Sequence, residues 1–179
     1  MQENMKKTIM TIIITAMTVL SCYAQPNSCA YILDGSGTPT NVRKAPNGKV
    51  VQKLPGIDGG YVVGLCEVKN NWWRIDPNID IYGGDDGDDC ILLEGSETGY
   101  WVHYSVLAFG ISGDHENVLR EKPSMKARPL DIAVSYLFET ALRPLEIKGD
   151  WIKVITADKR YTGWMPIDKI CYNPLTTCP

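Results

Sequence analysis

From Cys29 onward, short apolar runs are broken at close intervals by Gly, Asn, Asp and Pro, the pattern of short strands joined by turns. Ala30 to Leu33 is the first run, and Asp34-Gly35-Ser36-Gly37 stops it with residues that tolerate left-handed backbone. Asn47-Gly48, between Val42 and Val50-Val51, predicts a hairpin with positive φ at both turn positions. Tyr61 to Val68 and Trp72 to Ile75 flank Asn70-Asn71 and predict a second hairpin. Tyr100 to His103 reads as the last strand of this half, and Ser105 to Leu107 suits a single helical turn. Further on, Ile132 to Phe138 and Ala141 to Ile147 read as strands. A helix over Asp131 to Leu142 is the alternative, limited by Pro144.

The chain also repeats itself. Val68 to Ile75, Val-Lys-Asn-Asn-Trp-Trp-Arg-Ile, returns as Ile147 to Val154, Ile-Lys-Gly-Asp-Trp-Ile-Lys-Val. Each copy follows an Asn-Val and basic-Pro segment (Asn41-Val42-Arg43 to Pro46; Asn117-Val118-Leu119-Arg120 to Pro123). Each precedes a Gly/Trp segment (Gly99 to Leu107; Gly163 to Ile170). A period of two assigns Trp73 with Ile75, and Ile152 with Val154, to the core. Trp72 with Arg74, and Trp151 with Lys153, then share the opposite face. Trp72 to Trp101 is 29 residues against 13 from Trp151 to Trp164, so the first unit carries 16 extra residues within Asp76 to Thr98. The expected organisation is a first unit over 25–109 with an acidic insertion at 76–98, and a second over 110–179. The short linker Ala108 to Asp114 is apolar at Phe109 and Ile111, which predicts that the units pack together.

Ahead of them, Lys6-Lys7, the apolar run Ile9 to Leu20 and Cys22-Tyr23-Ala24-Gln25 have the three regions of a signal peptide over 1–24. The run is shorter than the roughly 20 apolar residues of a spanning helix, and no later stretch qualifies. An exported, periplasmic or cell-surface protein without a membrane span is expected. Lipid attachment at Cys22 is the weaker alternative, because Leu20-Ser21 fits a lipobox poorly. A net charge of −3 argues against a nucleic-acid partner. Of six cysteines, five remain after cleavage, and an oxidising compartment predicts disulfides with one thiol left over. Cys171 and Cys178 bracket a turn-rich segment and are one candidate pair. Zinc is disfavoured by the absence of a Cys-x-x-Cys or Cys/His spacing.

These residues resemble tandem bacterial SH3-like (SH3b) domains. Asp34-Gly35, Thr40-Asn41-Val42-Arg43-Lys44-Ala45-Pro46 and Gly48 to Val51 are similar to the family's opening segment. Trp72-Trp73-Arg74-Ile75 is similar to its middle strand, and Gly99, Trp101-Val102-His103, Ser105 and Leu107 to its closing one. In the second unit Met165-Pro166 stands in for Val102-His103. The resemblance covers about 29–171. It implies an all-β fold of two small SH3-like barrels in tandem, and a non-catalytic recognition role in the cell envelope.

The expected function is binding of a peptide or peptidoglycan fragment by Trp72, Arg74, Tyr82, Tyr100, Trp101 and Tyr104, since aromatic faces with nearby charges hold peptides or stack on sugar rings. A structural partner or protein inhibitor docking through the acidic loop is the alternative. Asp85, Asp86, Asp88 and Asp89 offer oxygens for calcium, but their spacing fits no calcium-loop signature, and a solvated acidic loop is the favoured reading. Cys90 suggests a disulfide anchor to Cys66. A Cys-His hydrolase using Cys66 or Cys90 with His103 or His115 is disfavoured, because such cysteines are expected to be oxidised. No enzyme activity and no cofactor are expected.

Overall fold

Alternation decides the central hairpin. The computed structural model describes residues 28–57, 60–82, 89–112 and 119–172. Within them β4 (Tyr61–Lys69) and β5 (Trp72–Ile81) pair antiparallel, and Lys69 lies opposite Trp72. Asn70 and Asn71 link them at φ 50° and 69°, the left-handed pair that a two-residue hairpin needs. Trp73 and Ile75 are fully buried, and Trp72 and Arg74 are half-buried on the other face, as the period of two requires.

Around this hairpin lie β1 (Cys29–Ile32), β2 (Thr40–Arg43), β3 (Val50–Leu54), β6 (Asp89–Leu92), β7 (Tyr100–His103) and β8 (Leu107–Ala108). The sheet runs β3-β2-β7-β5-β4-β1-β8, and β6 pairs with the far end of β5. A 3-10 helix, Tyr104–Val106, separates β7 from β8. The first hairpin turn differs from expectation. Gly48 N–H bonds to Ala45 O at 2.8 Å, and only Asn47 of the Asn-Gly pair is left-handed, at φ 55°. Pro46 ahead of it accounts for this, because Pro followed by a positive-φ residue is the arrangement of a type II turn.

The second half follows the same order. It comprises β9 (Gly110–Ile111), α1 (Val134–Glu139), β10 (Leu142–Lys148), β11 (Trp151–Thr156), β12 (Thr162–Pro166), a 3-10 helix (Ile167–Lys169) and β13 (Ile170–Cys171). Strands β10, β11 and β12 form a meander, and β13 pairs with β9 as β8 pairs with β1. The registers match residue for residue. Trp72 faces His103, Trp73 faces Val102 and Arg74 faces Trp101, while Trp151 faces Pro166, Ile152 faces Met165 and Lys153 faces Trp164. Arg43 bridges to Trp101, and Arg120 to Trp164. Among the described residues the fold is all-β, with one α-helix, α1.

Two further expectations change. Ile132 to Phe138 is not a strand: α1 turns there, sending Leu137 into the core, leaving Phe138 exposed and extending Tyr136 to Asp158. Here tertiary packing overrides the β propensity of the run. The described part of the insertion is a hairpin arm rather than an open loop, because Ile79 and Leu93 bury while Asn78 to Ile81 pair with Leu92 to Asp89.

The segment joining the halves is core. Phe109 is fully buried and exchanges two backbone hydrogen bonds with Leu142, at 3.0 and 2.9 Å. A single apolar cluster runs from Trp73, Val102 and Leu107 through Phe109 to Leu142, Ile152 and Met165. Arg143 reinforces the junction, donating from Nη1 to Leu107 O at 2.7 Å and Leu33 O at 3.0 Å. Residues 1–24 with Cys22, expected to be a signal peptide, as well as His115, Asn117, Val118 and Cys178, lie outside the described residues. Among the described residues, no helix is long and apolar enough to cross a membrane.

Candidate functional site

Residues directly opposite each other in an antiparallel pair point to the same side. The pairs Trp72/His103, Arg74/Trp101 and Arg43/Trp101 therefore build one continuous outer face from β2, β7 and β5, and Glu67 and Lys69 of β4 extend it. The inner face of the same strands carries Val42, Trp73, Ile75 and Val102, all buried.

On the outer face the aromatic groups touch in sequence. The Trp72 and His103 rings meet edge to face at 5.2 Å, and His103 and Tyr104 are tilted at 4.7 Å. The Arg43 guanidinium lies over Trp72 at 5.7 Å while Nη1 donates to Gly48 O at 2.7 Å, so the β2–β3 turn holds this cation on the indole. Beside it, Arg74 Nε donates to Glu67 Oε2 at 3.0 Å. Gly99 makes room for the Arg74 stem: at φ 97°, a Cβ there would lie 2.8 Å from Arg74 Cδ. His103 Nδ1 is engaged by Ser105 Oγ at 2.8 Å. Burial, and to a lesser degree the charge of Lys159, hold its pKa below the ordinary imidazole value, which leaves a neutral ring at neutral pH.

The sequence-predicted residues fall into three places. Trp72, Arg74 and Tyr104 join the outer face. Trp101 belongs to that face but is buried, with Nε1 directed at Thr98 O at 3.4 Å. Tyr100 points inward; its hydroxyl accepts from Ser96 N–H at 3.2 Å and borders an open depression of about 520 Å³ lined by Lys44, Gly95, Ser96, Glu97 and Thr98. Tyr82 sits beyond the opposite end of β5, its N–H bonded to Gly60 O at 3.0 Å, and is not part of the Trp72 face. Arg43 and His103 were not expected here. The period of two across Tyr100 to His103, which sets Trp101 and His103 together opposite Val102, carries the signal for the second of them.

No protein-family model matches this chain, and no curated protein matches it in sequence.

Of the calcium candidates, Asp85, Asp86 and Asp88 lie outside the described residues, and Asp89 is exposed at the start of β6. Among the described residues no group of three or more His, Cys, Asp or Glu could hold a metal. Cys90 carries a free, exposed thiol, so the expected Cys66–Cys90 anchor is not made; its place on β6, paired to Asp80, sets it on the hairpin arm. Cys29 is also free, and burial, then the charges of Asp80 and Asp76, push its thiol pKa up, away from nucleophilic character.

Proposed function

We propose that this chain is a non-catalytic, exported SH3b-like binding module of the bacterial envelope, recognising a peptide or peptidoglycan fragment on the outer face of its first half. The observation that carries the reading is the row Arg43–Trp72–His103–Tyr104, a half-buried stretch of aromatic surface with a cation held over it by backbone. Such a surface stacks on a sugar ring or a peptide plane, and Arg43 supplies charge for a carboxylate. The SH3-like part of the reading is supported by the strand order, by the 3-10 helix before the last strand of each half, and by the matched registers. The test is binding of soluble peptidoglycan fragments by calorimetry to the wild type and to Trp72→Ala. Saturable binding that Trp72→Ala weakens at least about tenfold, the loss of one hot-spot aromatic, supports the reading. Equal binding by both proteins, or none by either, ends it.

A further inference from the structure

The second half carries a different cluster, between α1 and the β11–β12 turn. Tyr136 and Tyr161 stand edge to face at 5.6 Å. The guanidinium of Arg160 lies over both rings, 5.6 Å from Tyr136 and 5.4 Å from Tyr161. The Asp158 carboxylate closes the third side, with Oδ2 at 3.9 Å from Arg160 Nε. Two aromatic faces and a carboxylate around one cation make a cation cage.

The walls do not depend on the Arg160 side chain. Tyr136 Oη donates to Asp158 Oδ2 at 2.6 Å, Thr156 Oγ1 donates to Oδ1 at 2.6 Å, and the backbone N–H of residue 160 donates to Oδ1 at 3.0 Å. Tyr161 is tied in turn by its N–H to Thr156 Oγ1 at 3.1 Å. The occupant, by contrast, is loosely held. The Arg160 side chain is 63% exposed and its ion pair is at the long limit of such contacts. A cation over an exposed aromatic face is favoured by a factor of only roughly two to five per contact, which leaves the site open to exchange.

We propose that Tyr136, Tyr161 and Asp158 form a binding site for a ligand guanidinium or ammonium group, and that Arg160 is its internal, displaceable occupant. The site belongs to a surface separate from the Trp72 face. A partner presenting an arginine or lysine side chain, or a free amine, replaces Arg160 without rebuilding the walls, and the released side chain returns to water.

The experiment uses the full chain and follows the tyrosine ring signals by NMR while N-acetyl-arginine amide is added, with the neutral isostere N-acetyl-citrulline amide as control. Arg160→Ala is expected to bind the arginine amide saturably and roughly three- to tenfold more tightly than the wild type, since the competing occupant is gone. The citrulline amide is expected not to bind, and adding Asp158→Asn to Arg160→Ala is expected to abolish binding. Equal affinity in wild type and variant overturns the proposal, as does indifference to the charge of the probe. Arg160→Gln, which keeps part of the stem, replaces Arg160→Ala if circular dichroism shows the latter unfolded. Loss of the fold in both shows Arg160 to be a structural strut and also overturns the proposal. Binding of peptidoglycan fragments at Trp72 is read independently and does not bear on the result.

Discussion

The indole N–H of Trp73 donates to the carbonyl oxygen of Pro144 at 2.9 Å, linking the core strand of the first half to the opening strand of the second-half meander. Trp73 lies in the buried cluster that also takes in Phe109 and Leu142, and Pro144 is buried beside it on β10. A tryptophan repeated in sequence as Ile152 is thus, in the first copy alone, a fastener between the copies.

Trp73→Phe keeps most of the buried ring but leaves the Pro144 carbonyl without its donor. The expected loss is about 1–3 kcal/mol, the cost of an unsatisfied buried polar group. Because the halves share a core, urea unfolding followed by fluorescence and by circular dichroism is expected to give one coincident transition in both proteins. Two separated transitions in the wild type would contradict a shared core.

Gly163 is a packing requirement: a Cβ there would sit 2.8 Å from Leu119 Cβ and 2.9 Å from Leu130 Cδ1. Gly163→Ala is expected to destabilise by about 1–3 kcal/mol, the range for overpacking. Gly35→Ala, where nothing lies within 4 Å, is the control and should be near neutral in the same denaturation experiment.

His103 holds its proton less tightly than in the unfolded chain, whose ordinary value is 6.5. Between the depressed folded value and 6.5 the unfolded state binds more protons, so stability is full above this window and falls as pH drops through it. Removing the nearby charge with Lys159→Ala is expected to raise the His103 pKa while burial keeps it below 6.5. An imidazole proton titration by NMR checks both shifts. An unchanged titration in Lys159→Ala would remove Lys159 as a cause.

The Asp158 pKa is pulled from 3.8 to about 2, first by the Thr156 hydroxyl, then by Tyr136 and the residue 160 N–H. Its stabilising contribution is therefore present above 3.8 and lost as pH falls towards about 2. Asp158→Asn is expected to lower the melting temperature near neutral pH and to shrink the gap from wild type as the pH approaches about 2. A gap that stays constant with pH would show that the carboxylate is not the group being titrated.

What could be read in the chain follows from local periodicity. Trp73, Ile75, Ile152 and Val154 are buried because a strand with one buried face must alternate, and the repeated Trp-x-basic pattern assigned Trp72 and Arg74 to the other face. The same rule applied to Asn78 to Ile81 indicates a strand, since Ile79 and Ile81 alternate with Asn78 and Asp80. Its partner Asp89 to Leu92 carries no such alternation, because Ile91 and Leu92 are adjacent, so the pairing of the arm is set by the structure alone. Ile132 to Phe138 was not legible, because a short run of apolar and β-branched residues fits a strand or a helical turn equally well.

The sequence alone thus determined the class of fold, the repeat and the inward or outward sense of the Trp72–Ile75 strand, because these depend on neighbours one to four residues away. Tertiary structure decided everything that joins distant segments: the Arg43–Trp72–His103 row, the separation of Tyr82 from it, the Trp73–Pro144 bond and the cage around Arg160. Those contacts depend on which strands lie side by side and on the register between them, and a chain read in one dimension carries no distance between residue 43 and residue 103, or between residue 136 and residue 160.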